Sequence, residues 1–142
     1  MKTYILSAAA VAVLGLGAYA WLQPGDTAQA STPPDGAALV EIALPSSLSA
    51  QAEMGQRAFN AICADCHGDN ATGRMNMGPP LVHKIYEPSH HGDMSFLMAV
   101  ERGVNAHHWP FGNMPPQPGL TRADVGAIVA YVRELQRANG IN

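Results

Sequence analysis

Apolar side chains recur at helical spacing in three stretches after residue 48, and each stretch predicts a helix. The first helix is expected over residues 50–64, with Ser49 as its N-cap. The second is expected to begin at Asp93 as its N-cap and to end at Gly103. The apolar stripes that define these two helices are Phe59, Ile62 and Cys63 in the first, and Phe96, Leu97 and Val100 in the second.

The third helix opens on Thr121 and Asp124, which are spaced as in a capping box with Asp in the usual Glu position. Its stripe continues to about Arg137 and consists of Val125, Ile128, Val129, Val132 and Leu135. Between the helices the chain is rich in Gly, Pro, Asn and His without a period, which is typical of loops. Alternating apolar strands and internal repeats are absent from the pattern, so the expected fold class is all-α with long loops.

The N-terminal residues 1–22 form a second kind of pattern. Lys2 is the only charge before Asp26, and an uncharged run extends from Tyr4 to Leu22. Two interpretations stand. The small residues at positions 28 and 30 resemble the cleavage site of a signal peptide, whereas the length of the run suits an uncleaved membrane anchor. Either one exports the rest of the chain to the periplasmic side of the inner membrane, anchored or soluble.

Residues 23–48 hold four prolines among Gly, Ser, Thr and Ala, with few large apolar groups, and this composition predicts a flexible linker. The folded domain is then expected over residues 49–142, a size that often relies on a metal or a cofactor for stability. The formal net charge of the chain is −3, and its basic residues are scattered rather than clustered. This distribution excludes a nucleic-acid-binding surface.

The only two cysteines, Cys63 and Cys66, are followed directly by His67. This spacing is the pattern for covalent attachment of one haem c, because two thiols must reach the two vinyl groups of one porphyrin. The imidazole that follows the second thiol then lies under the iron as an axial ligand. A thioredoxin-like dithiol would need a βαβ context, and a zinc site would need more ligands than the pattern offers.

Met114 is the best candidate for the second axial ligand. It lies in a loop 47 residues beyond His67, and Pro115 and Pro116 stiffen the backbone behind it. Thioether ligation suits an electron-transfer haem. Four other methionines are less suitable, because two follow His67 too closely to reach the other haem face and two lie on the second helix, where Met more often fills the core: Met75, Met77, Met94 and Met98.

Further histidines occur as His83 and as two adjacent pairs, on loops near the proposed iron site. The pairs are His90 with His91, and His107 with His108. A surface histidine is most often only a solvated polar residue, and that interpretation is favoured here. The alternative interpretations of the two pairs are a bis-His haem, a secondary metal site and a pH-sensitive docking surface. Trp109 is a candidate to cover a haem edge or to donate its N–H to a propionate.

Taken in order, these residues resemble the class I (mitochondrial-type) cytochromes c over about residues 50–138. The resemblance implies three main helices around a single haem, with the helix glycine making room for Tyr131. It also implies a prolyl carbonyl near Pro79 that accepts the other imidazole N–H of His67, and Met114 as the closing ligand. The stretch from Pro88 to Trp109 departs from the family pattern. The matching residues are Gly55, Phe59, Cys63, Cys66-His67-Gly68, Gly73, Gly78-Pro79-Pro80-Leu81, Met114-Pro115, Leu120-Thr121, Ile128 and Tyr131.

The function that follows from this resemblance is electron transfer rather than catalysis, either as a free carrier or as the haem subunit of an oxidoreductase complex. Its partners are expected to be redox proteins that dock transiently, and no small-molecule substrate is expected. Two alternatives differ in class. A displaced Met114 would open the iron to peroxide or a diatomic gas, and the histidine pairs would give a copper-binding protein.

Overall fold

The computed structural model describes residues 33–142, and within them it contains helices and loops with no extended strand. The all-α fold class is therefore confirmed. The helices are α1 (Ala50–Ile62), α2 (Ala64–His67), α3 (Asp93–Arg102) and α4 (Arg122–Ala138), with 3₁₀ turns at Asp69–Ala71 and Lys84–Tyr86. The signal or anchor predicted over residues 1–22, and the first part of the predicted linker, lie outside the described residues.

The helix starts follow the predicted capping chemistry at two of three positions. The Ser49 side chain accepts the N–H of Ala52 at the start of α1. At the start of α4, Thr121 and Asp124 form both bonds of the capping box, at 3.2 and 2.9 Å. The N-cap of α3 is Gly92 instead of Asp93, which is the first helical residue. An acidic side chain in the first turn still suits the helix dipole.

Helices α1 and α4 cross in close contact and form the centre of the core. A Cβ on Gly55 would lie 1.9 Å from the carbonyl oxygen of Ala127, so only a glycine allows the two backbones to approach this far. One turn further along, Phe59 packs edge-on against Tyr131, with ring centroids 5.7 Å apart. The space beside Gly55 is thus filled by the backbone of α4, whereas the resemblance implied the Tyr131 ring.

The segment before α1 differs from the prediction of a flexible linker up to residue 48. Residues 33–48 lie against the domain: the N–H groups of Leu39 and Val40 donate to the carbonyl of Thr72. Asn139, at the end of α4, exchanges two hydrogen bonds with the backbone of Ala43. The domain therefore begins by Pro33, because backbone bonds to distant loops hold this segment and Ile42 and Leu48 pack against the core. Among residues 33–142, none of the helices is both long and apolar enough to cross a membrane.

Arg133 fastens α4 to the loop that precedes α3. Its side chain is buried, with only 6% of the residue exposed, and its guanidinium donates to the backbone carbonyls of Tyr86 and His91. It also donates to the side chains of Asp93 and Gln136. One rigid fork of donors thus fixes the entry to α3, and that helix and loop border the site described below.

Candidate functional site

The end of α1 presents the two cysteines. The helix is interrupted at Cys63 and resumes as the short α2, in which the N–H of His67 donates to the carbonyl of Cys63 at 2.8 Å. Cys63 is half-buried and Cys66 is exposed. Burial, and secondarily the neighbouring Cys66, raise the pKa of the Cys63 thiol to about 11. Because the thiolate is the reactive form in redox dithiols, this environment argues against such a centre.

The imidazole of His67 is held in one orientation from behind. Its Nδ1 lies 2.8 Å from the carbonyl oxygen of Pro79, which can only accept, so Nδ1 carries the proton and Nε2 is left to bind a metal. Burial lowers the pKa of His67, and the bond to Pro79 opposes this in part. The loop approaches this closely at Gly78, where a Cβ would lie 2.5 Å from the carbonyl oxygen of Cys66.

The cysteines and His67 open onto a largely apolar cavity of about 610 Å³. Its walls come from α1, α3, α4 and the loops around them, and include Phe59, Leu81, Phe96, Val100 and Ile128. No side chain of α3 is fully buried, and two residues of its predicted stripe, Phe96 and Val100, face the cavity instead of a closed core. A large apolar pocket with two thiols and an oriented imidazole at one side fits a covalently attached porphyrin.

Met114 lines the same cavity from a loop that is fixed in place. Its N–H and carbonyl exchange hydrogen bonds with Val104, at 3.0 and 2.9 Å. A Cβ on Gly103 would lie 2.5 Å from the Met114 carbonyl oxygen, so this glycine lets the loop close against the end of α3. Met94 and Met98 also line the cavity, and Met94 is 64% exposed. These two are therefore not core filler, and the cavity offers more thioethers than the sequence suggested.

Trp109 brings a buried polar atom to this cavity. Its ring stacks on Phe111, and its Nε1 is buried without a hydrogen-bond partner among residues 33–142. A neighbouring polar group is the hydroxyl of Tyr86, whose pKa is raised by burial and lowered in part by the indole N–H of Trp109. The Tyr86 hydroxyl and the Trp109 N–H do not, however, reach hydrogen-bond geometry. A buried N–H donor without an acceptor is energetically costly. Such a donor at the wall of an apolar cavity therefore fits an acidic group of the cofactor.

The two histidine pairs, predicted as separate loop features, meet in one group at the edge of the cavity. His90 and His91 follow the 3₁₀ turn at Lys84–Tyr86, and His107 and His108 follow α3. Ring centroids lie 5.4 Å apart between His91 and His108, and 5.6 Å apart between His90 and His108. Partial desolvation by its neighbours lowers the pKa of the exposed His108, and the charges of the other three imidazoles lower it further. The sequence showed both pairs but not their convergence, which depends on how the loop after α3 folds back to the loop before it.

Comparison with known proteins adds an independent finding. The family model described as Cytochrome c matches residues 52–136. The chain is also similar to the Cbb3-type cytochrome c oxidase subunit CcoP of Rhodobacter capsulatus, with 33% identity over 89 residues that cover 60% of this chain and 29% of that subunit. The subunit of the same name from a named strain of Rhodobacter capsulatus is 31% identical over 90 residues, which cover 61% of this chain and 30% of that subunit.

This chain thus spans under a third of the length of the curated relatives it matches. The match to the family model, in contrast, covers more than half of the chain and includes nearly all of α1 and α4, both cysteines and Met114. The cavity and its donor set fit the cofactor of that family. The protein is therefore a member of the cytochrome c family, whose cofactor is haem c.

Proposed function

We propose that this chain is a class I, monohaem cytochrome c whose iron is held between His67 and Met114, and that it carries single electrons between protein partners outside the cytoplasm. One observation carries the proposal. An imidazole with only Nε2 available and a thioether on a pinned loop line the same apolar cavity, beside both cysteines. Cys63 and Cys66 would supply the two covalent attachments.

When bound, the haem supplies one-electron Fe(III)/Fe(II) chemistry. The chain tunes that chemistry through a few groups. The carbonyl of Pro79 orients the His67 ring and raises its basicity as a ligand. The Met114 thioether and the apolar walls favour the reduced state, which raises the potential. Trp109, whose N–H is buried without a partner among the described residues, would donate it to a propionate. If His67 and Met114 both bind the iron, no position would be left for a substrate.

The rim of the cavity supports transient docking. Three large apolar side chains that line it are strongly exposed, namely Ile62 at 42%, Met77 at 43% and Met94 at 64%. Exposed apolar side chains that cluster around one opening are typical of protein contact sites. Small and weak interfaces are usual for redox encounters, which must form and separate quickly.

The organisation of the chain supports work beside a membrane. We infer that residues 1–22 act as a signal peptide or an anchor, and that the tether to the domain is shorter than the predicted linker, since residues 33–48 are part of the domain. The relatives named above are subunits of a cbb3-type cytochrome c oxidase. A terminal oxidase complex of that kind is the partner that we propose, with this chain as its electron donor or as a haem subunit.

Binding of carbon monoxide to the reduced, haem-loaded protein at neutral pH tests the closed coordination sphere. We expect no rapid binding in the wild type and in Met98→Leu, because Met98 only lines the cavity. Met114→Ala should bind the gas readily. Ready binding by the wild type would contradict the carrier proposal and favour the enzymatic alternative. Ready carbon monoxide binding by Met98→Leu but not by Met114→Ala would show that Met98, rather than Met114, is the iron ligand.

A further inference from the structure

Two loops that are distant in sequence bring four imidazoles together. His90 and His91 lie before α3, His107 and His108 lie after it, and we call these four residues the histidine cluster. The rings of His107 and His108 are 4.2 Å apart, and those of His90 and His91 are 4.6 Å apart. The electron-transfer proposal gives the histidine cluster no role, because in that proposal His67 and Met114 complete the coordination of the iron.

Three members of the cluster have the spacing of metal ligands. One ring nitrogen from each of His90, His91 and His108 lies within 4.8 Å of the other two. Three ligands around a tetrahedral ion with bonds of about 2.0–2.1 Å are roughly 3.3 Å apart. The remaining convergence of about 1.5 Å is within reach of side-chain rotation, because His90 and His108 are exposed and free to turn.

His91 provides the fixed point of the group. Its Nδ1 lies 2.6 Å from the carbonyl oxygen of Ile85, so Nδ1 carries the proton and Nε2 is the available ligand atom. Its backbone is held as well, since its N–H donates to Glu87 and its carbonyl accepts from Arg133. A carbonyl behind a histidine is the usual partner that orients metal-binding imidazoles.

His107 is oriented in a similar way and lies beside the group formed by His90, His91 and His108. Its Nδ1 lies 2.8 Å from the carbonyl oxygen of Asn105, which leaves Nε2 to bind a metal. Its ring stacks at an interplanar angle of 27° on that of His91, with centroids 6.2 Å apart. Either this imidazole or a water molecule would complete a four-coordinate site.

We propose that His90, His91 and His108 form a second metal site, which binds a late first-row divalent ion, Cu²⁺ or Zn²⁺, at the edge of the haem cavity. Neutral imidazole suits both ions, and affinity for such a site rises along the series to copper. The ion connects the loop before α3 to the loop after it. Because His91 and His108 both line the haem cavity, the ion would stabilise the rim of that cavity.

The test titrates haem-loaded protein, freed of other metals, with Zn²⁺ in a calorimeter, and records the electron paramagnetic resonance spectrum of added Cu²⁺. We expect one ion per chain, nitrogen couplings from imidazoles in the Cu²⁺ spectrum, and a melting temperature that rises with Zn²⁺. In His90→Ala/His108→Ala, Zn²⁺ affinity should fall by more than about 100-fold, because even the loss of an outer partner costs about 10–100-fold. Both replaced side chains are exposed, so the variant should fold.

His83→Asn is the matched control. It removes an imidazole elsewhere, while Asn keeps a side-chain oxygen to accept the N–H of Ile85. Zn²⁺ affinity should be unchanged in this control. Equal affinity in the wild type and the double variant, or a Cu²⁺ spectrum without nitrogen couplings, would overturn the proposal.

Discussion

Replacement of Gly55 by alanine tests the helix crossing on which the haem cavity is built. A Cβ at this position would lie 1.9 Å from the carbonyl oxygen of Ala127, whereas ordinary contact begins near 3.4 Å. Helices α1 and α4 would therefore have to separate by roughly 1.5 Å. The atoms that collide belong to the backbone of α4 and cannot rotate away, so relief requires a shift of the whole helix.

The magnitude follows from two opposing effects. Overpacking of a close contact costs about 1–3 kcal/mol, and a clash with backbone belongs at the upper end or above. Alanine is intrinsically better than glycine in a helix by about 1 kcal/mol, which offsets part of this cost. We therefore expect Gly55→Ala to lose about 2 kcal/mol or more of unfolding free energy, visible as a lower denaturant midpoint.

The same substitution on the partner helix is the matched control. Gly126 lies in α4, and a Cβ there would meet nothing within 4 Å. Gly126→Ala should therefore gain about 0.5–1 kcal/mol, so the two variants should shift in opposite directions. Urea unfolding of haem-loaded protein, followed by the absorbance of the haem, measures both. A Gly55→Ala variant as stable as the wild type would refute the reasoning.

Three further substitutions test other parts of the account. Ser49→Ala removes the cap of α1 and should cost about 1 kcal/mol in urea unfolding. Arg133→Lys keeps the charge but loses the guanidinium that donates to the backbone carbonyls of Tyr86 and His91, and should cost about 2 kcal/mol or more by the same assay. This cost comes from the lost hydrogen bonds, because the ion pair with the exposed Asp93 contributes little. Hydrogen bonds from Thr121 lower the pKa of Asp124. Asp124→Asn should therefore lower the stability by its full amount at pH values above 3.8, the ordinary pKa of the carboxyl group. The difference from the wild type should vanish as the pH falls through the lowered pKa of the folded state. Thermal melts in which that difference grew towards acid pH would contradict this.

The sequence predicted those features that depend on neighbouring residues. The Cys63-to-His67 motif indicated the cofactor because its chemistry requires that spacing, and the caps at Ser49 and Thr121 formed as their side chains predict. The three apolar stripes identified the main helices, with ends correct within about two residues.

The features that the sequence did not predict arise from contacts between distant residues. Residues 33–48 were predicted to be part of a linker. Their bonds to Thr72 and Asn139, and the packing of Ile42 and Leu48 against the core, give them a place in the domain instead. Likewise, no local pattern predicts that Arg133 reaches the loop before α3. Met98 shows the same limit, because an apolar helix position has one pattern whether it faces a closed core or a cofactor cavity.

The weak iron–sulfur(Met) band in the absorption spectrum of the oxidised, haem-loaded protein tests the central claim most directly. The account predicts that the band is present in the wild type and in Met98→Leu, and is lost in Met114→Ala. All three proteins should keep the haem attached to Cys63 and Cys66, which shows that the change lies at the axial position. A band that persists in Met114→Ala, or that is missing from the wild type, would contradict ligation by His67 and Met114.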